Sequence, residues 1–158
     1  MRSRSSEPSS AEGAYRYAVR LLAARDYTSL KLQRKLLDRE FSETDSESAV
    51  MRLLAEGWLN DRRFAERFAE AAQASGRFFG PRLRLEMRRR GIPAELINEV
   101  VGRIGGEHDE EEGLRSLLER RFPGFSFAAA TDRERRRVIG FLQRRGFSSG
   151  AIRGVMRE

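Results

Sequence analysis

The 158-residue chain contains no cysteine, so disulfides, thiolate metal sites and cysteine nucleophiles are all excluded. Its single histidine, His108, lies in the acidic run Glu107-His108-Asp109-Glu110 and reads as a solvated linker residue rather than a catalyst. No apolar run approaches the roughly 18 residues needed to span a membrane. The first residues, Met1 to Gly13, carry Arg2 and Arg4 but no apolar stretch, so they read as a disordered polar tail rather than a signal peptide. Sustained period-two alternation of β-branched residues is missing, which argues against strands. No phosphate-cradling loop occurs; Gly102, Gly105 and Gly106 follow no strand and read as a linker. Acidic pairs such as Glu66 and Glu70 sit among Arg62, Arg63 and Arg67 and read as intrahelical ion pairs. These absences leave no catalytic constellation, metal site or cofactor, and the expected protein is a soluble, cytoplasmic non-enzyme.

What is present is a pattern that comes round three times. An aromatic or branched apolar residue closes a basic helix at Phe41, Ile92 and Phe147. Five residues earlier stand Leu36, Met87 and Leu142, and nine earlier Leu32, Leu83 and Val138. The copies lie 51 and 55 residues apart (41 to 92, 92 to 147). A period of that size predicts a helical array whose units are each too small to bury a core alone. Such arrays usually bind something extended.

The net charge is +7, with a pI near 10.8, and lysine occurs only at Lys31 and Lys35, so nearly all the positive charge is arginine. It concentrates on the helix that carries the repeated pattern. Candidate partner-binding cations are Lys31, Arg34, Lys35 and Arg39 in the first unit. Their counterparts are Arg82, Arg84, Arg88 and Arg89 in the second, and Arg136, Arg137, Arg144 and Arg145 in the third. With Leu83 and Met87 inward, Arg84 and Arg88 fall on one flank and Arg82 and Arg89 on the other. One flank is expected to meet the partner, and the sequence does not say which. Stacked basic helices would form the positive stripe expected for a phosphate backbone or an acidic protein groove. Plain solvated helix faces are the alternative, and the threefold placement weighs against them.

Helical spacing runs throughout. In the first unit, Ala14 to Ala24 turns Ala18, Leu21 and Leu22 to one face, Thr28 or Ser29 caps a second helix, and Val50, Leu53 and Leu54 point inward from a third. The second unit opens at Asn60, an N-cap with Asp61 favourably placed against the helix dipole. Phe64 and Phe68 read as core anchors. Gly76-Arg77-Phe78-Phe79-Gly80 is a loop, Pro81 starts a helix that Gly91 stops, and Pro93 starts the third, with Ile97, Val100 and Val101 inward. The third unit places Leu114, Leu117 and Leu118 behind the acidic run, Gly146 and Phe147 at the stop, and Ile152, Val155 and Met156 inward. Trp58, Ile92 and Phe147 are expected in the core, whereas Phe78 or Phe79 is free to touch a partner.

The run EGWLNDRRFAERF (Glu56 to Phe68), a glycine turn and PRLRLEMRRRGI (Pro81 to Ile92) resemble the regulatory protein RecX family, as do AVRLLAARDYT (Ala18 to Thr28) and KLLDREF (Lys35 to Phe41). The resemblance covers about Tyr15 to Met156. It implies an all-α fold of three tandem three-helix repeats in an elongated, curved array. The expected divisions are a tail at 1–13, repeats at 14–59 and 60–104, and an acidic linker with the third repeat at 105–158. It further implies a monomeric regulator, usually an inhibitor, of the RecA recombinase in homologous recombination, DNA repair and the SOS response. Family members are understood to lie in the groove of the RecA–DNA filament, and several bind single- or double-stranded DNA. Lys31, where the family often has an acidic residue, and the additional aromatic in Phe78-Phe79 are departures on the partner surface. A general DNA-binding protein that competes for DNA is the other reading, and a helical adaptor for an acidic protein a third.

Overall fold

The computed structural model describes residues 10–104 and 107–158. Among them are nine helices and no strand. The first three are α1 (Ala11–Ala24), α2 (Ser29–Asp38) and α3 (Glu43–Ala55); α4 (Asp61–Ser75), α5 (Gly80–Arg89) and α6 (Ala94–Ile104) follow. The last three are α7 (Glu107–Arg121), α8 (Asp132–Arg145) and α9 (Ser149–Met156). The fold is thus all-α, three tandem three-helix repeats. Among the described residues, contacts divide it into two compact units, one of residues 10–64 with 90–92 and one of 65–89 with 93–104 and 107–158.

All nine members of the repeated pattern are buried: Leu32, Leu36 and Phe41; Leu83, Met87 and Ile92; Val138, Leu142 and Phe147. Successive members lie four and then five residues apart, so they stay on one helical face and then follow the chain round the stop. At that stop each repeat takes a left-handed residue: Glu40 (φ 72°), Gly91 (φ 86°) and Gly146 (φ 99°). The last two leave no space for a side chain. A Cβ on Gly91 would come within 2.9 Å of Leu30 Cβ, and one on Gly146 would strike the Phe79 carbonyl and lie 2.6 Å from Arg82 Cβ. Here the chain also bonds across repeats. The Thr28 hydroxyl donates to the Arg90 carbonyl, and at the corresponding place the Phe79 amide donates to the Arg145 carbonyl at 2.8 Å.

In the unit that holds the first repeat, α1 packs along α3, and Ala14, Ala18, Leu32, Leu36, Val50 and Leu53 form the core. Thr28, Ser42 and Asn60 accept from backbone amides three residues on, as N-caps do. Asp61 turns from its own helix to accept the Ser29 amide at 2.8 Å, an acidic group at the start of α2. In the other unit α7 packs along α9, and Leu114, Leu117, Leu118, Val138, Leu142 and Ile152 form the core with Phe147. Thr131 and Glu134 make a reciprocal capping box on α8.

Several expectations need correcting. Helix α1 starts at Ala11, capped by Ser10, inside the segment expected to be tail; residues 1–9 lie outside the described residues, as does the His108 side chain. Trp58 is 67% exposed, not core. The left-handed turn at Gly57 sends Leu59 inward instead, its amide bonded to the Leu53 carbonyl at 3.2 Å, and the adjacent indole outward. Phe64 and Phe68 are half-buried, because the buried face of α4 is Ala65, Ala69 and Ala72. Small residues let a helix approach closely and leave bulky neighbours at the margin. Leu54 and Met156 are exposed, and Val101 and Val155 half-buried. Phe79 is buried, its ring stacked on Phe147 at 4.1 Å between centroids, so of the loop aromatics only Phe78 stays near the surface.

Candidate interaction surface

The candidate cations divide by what they touch. In the first repeat Arg34, Lys35 and Arg39 are exposed and Lys31 is half-buried; Arg39 lies over the Tyr17 ring at 5.0 Å, which holds its guanidinium against the protein.

On α5 most of the arginines are engaged. Arg82 and Arg89 both reach Oε1 of Glu86, at 3.0 and 3.1 Å. Glu86 is 7% exposed, and a carboxylate removed from water requires such partners. Arg84 donates to Asn98 Oδ1 at 2.6 Å. Arg88 is exposed and shows no ion pair or hydrogen bond among the described residues. Near the start of the helix, Arg77 and Arg82 flank the ring of Phe78, which lies 6.3 Å from Phe68. Arg145 joins this group by donating to the Arg77 carbonyl at 3.5 Å. The structure therefore brings Arg77 and Arg82 together at the Phe78 ring, with Arg145 bonded to the Arg77 backbone beside them.

On α8 the arginines are less committed. Arg136, Arg137 and Arg144 are exposed and show no ion pair among the described residues, while Arg145 covers the Phe141 ring at 4.9 Å. Arg137, Phe141 and Arg144 follow one another at four and three residues, hence on one helical face. With Arg121 and Phe122 from the end of α7 they line an open cavity of about 360 Å³. The rings of Phe122 and Phe141 meet edge to face at 5.3 Å. The sequence reading omits Arg121, Phe122 and Phe141. The four-and-three spacing was a signal for Phe141, but nothing in the sequence joins α7 to α8. Among the described residues no group of three or more acidic or histidine side chains is placed to hold a metal ion. No described helix is long and apolar enough to cross a membrane.

Three family models match in tandem: the first three-helix domain of RecX over residues 14–53, the second over 60–101 and the third over 109–156. The chain belongs to the RecX family. A protein of Trichlorobacter lovleyi named "Regulatory protein RecX" is 48% identical over 144 residues, 91% of this chain and 94% of the relative. One of the same name from Syntrophotalea carbinolica is 37% identical over 139 residues, 88% and 91% of the two chains. The fold agrees with the crystal structure of RecX from Lactobacillus salivarius, with a TM-score of 0.74, 15% identity and coverage of 93% and 94%. It also agrees with a second RecX crystal structure, with a TM-score of 0.77, 20% identity and coverage of 94% of this chain and 73% of the other. RecX proteins form a family of regulators, not of enzymes.

Proposed function

We propose that this RecX chain inhibits the RecA recombinase by binding in the groove of RecA–DNA filaments, suppressing filament growth, ATP hydrolysis and strand exchange. The observation that carries the reading is the set of uncommitted cations on the second helix of successive repeats: Lys35 and Arg34, then Arg88, then Arg136, Arg137 and Arg144. A repeating partner presents the same acidic or phosphate group at intervals, and weak contacts made by tandem modules add through effective concentration. Arginine suits both targets, since its planar fork engages carboxylates and phosphates alike. On this reading segments 14–59, 60–104 and 105–158 act as successive contact units of a cytoplasmic monomer in recombination, DNA repair and the SOS response. Arg88, with Arg84 beside it, forms the flank offered to the partner: Arg84 is bonded only to the neutral Asn98 amide and keeps its charge uncompensated, whereas Arg82 and Arg89 are held by the Glu86 carboxylate.

A second reading, in which the protein only occupies DNA, is favoured by one observation, the aromatic and arginine walls of the cavity beside α8. Titrating single-strand-dependent ATP hydrolysis by the recombinase separates the two. Inhibition far below saturation of the DNA supports filament binding; inhibition only once the DNA is coated supports competition. Changing Arg84 and Arg88 to Glu should leave helicity and melting nearly unchanged while abolishing inhibition. Undiminished inhibition by that variant would exclude this flank.

A further inference from the structure

The second and third repeats lie in register with an offset of 55 residues, which pairs Arg82 with Arg137, Glu86 with Phe141 and Arg89 with Arg144. In the second repeat the two arginines close on the carboxylate that the chain itself supplies between them, at 3.0 and 3.1 Å. In the third the carboxylate is replaced by a phenylalanine. The same pair of guanidinium groups, joined by Arg121, then faces the open cavity of about 360 Å³ instead of an internal anion. Glu86 thus shows what this frame accepts, and the third repeat leaves the place open for an anion from outside.

We infer that this cavity seats a nucleotide of single-stranded DNA, its phosphate between Arg137, Arg144 and Arg121 and its base against the aromatic wall of Phe122 and Phe141. The volume lies within the range of about 300–1,000 Å³ typical of ligand pockets, far more than one carboxylate fills. Single-stranded nucleic acid presents an anion and a flat unstacked ring one after the other, the combination that arginines interleaved with aromatics recognise. A duplex keeps the faces of its bases stacked. The inference deepens the DNA contact of the proposed function and needs no recombinase, so it fails or stands separately from RecA inhibition.

The test is direct binding by the full chain alone, read as fluorescence anisotropy of a labelled oligo-dT, an abasic oligonucleotide of the same length and a duplex. The wild-type chain should prefer oligo-dT to the abasic strand by about tenfold. Changing Arg137 and Arg144 together to Gln, both on the surface, should weaken oligo-dT binding at least tenfold and reduce the salt slope by about 0.7, the share of the one phosphate they hold. Phe141→Glu, which copies the second repeat, should fill the frame with an internal anion and abolish the preference for bases. Equal binding of abasic and dT strands, or unchanged binding by the Gln variant, overturns the proposal. So does displacement of oligo-dT by polyglutamate at matched charge, which would make the cavity a site for an acidic peptide. Absence of single-strand binding by the wild-type chain overturns it as well, leaving recombinase inhibition to be judged by its own assay.

Discussion

Helices α5 and α8 are built on one frame and use it differently. Each buries an apolar pair, turns through a left-handed glycine and buries a third apolar residue after it. Each carries arginines at corresponding places. Yet α5 ties two of them to a buried carboxylate and a third to Asn98, whereas α8 leaves Arg136, Arg137 and Arg144 without an acidic partner among the described residues. For the corresponding pairs Arg82 with Arg89 and Arg137 with Arg144, one difference decides this: Glu86 against Phe141. A repeat therefore preserves the positions that fill its interior, while the side chain between two cations determines whether they hold the protein together or await a partner.

The largest effect should come from the shared part of the frame. Gly146→Ala combines a left-handed backbone with a collision against Phe79, and should cost about 3 kcal/mol in urea unfolding. Glu40 holds the corresponding place in the first repeat at φ 72°. Glu40→Gly should raise stability by about 1 kcal/mol by relieving the strain of a left-handed residue with a side chain. Equal and small effects at both positions would mean that the stop is not a tight junction in the third repeat.

Next comes the difference itself. Glu86→Gln removes the charge that Arg82 and Arg89 share while keeping the side-chain shape, and should destabilise the fold by about 2 kcal/mol in thermal or urea unfolding. It should also release two cations and tighten single-stranded DNA binding several-fold. A variant as stable as the parent, with unchanged DNA affinity, would break the comparison between the two helices.

The smallest effect concerns how the helices begin. At the start of α8 the backbone amide of Thr131 and then its hydroxyl donate to Glu134 at 2.8 and 2.9 Å and hold that carboxyl below the ordinary glutamate range. A depressed folded-state value means the stabilisation is complete above the ordinary range and is lost as pH falls through the lowered value. Helix α5 starts with no such box in its first turn, which contains no acidic residue. Amide exchange in the first turn of α8 should therefore quicken on acidification through the carboxylate range, with no matching change at the first turn of α5. Identical pH profiles at the two starts would remove the distinction.

Much of this was legible beforehand. The nine apolar positions are buried because period and spacing place them on one face of each helix, a property local to ten residues of chain. Asn60, Thr28 and Ser148 cap helices because their side chains serve amides only three residues away. Trp58 and the phenylalanines of α4 depart from the expected core because size and hydrophobicity are weak guides at a margin. Leu59, one residue on, fills the interior that Trp58 was expected to fill, and three alanines do the same for Phe64 and Phe68.

The sequence by itself determined the helical repeats, their stops and the basic character of each second helix, since these follow from residue type at intervals of three to five. It also carried the family resemblance. Only the tertiary structure decided which arginines are engaged and which are open. That choice depends on whether a carboxylate reaches them in three dimensions, as Glu86 does for Arg82 and Arg89 and no described carboxylate does for Arg137 and Arg144. It likewise depends on which aromatics a distant helix brings alongside, as the end of α7 brings Phe122 to Phe141. Electrostatic and stacking contacts act over a few ångströms of space, whatever their separation along the chain.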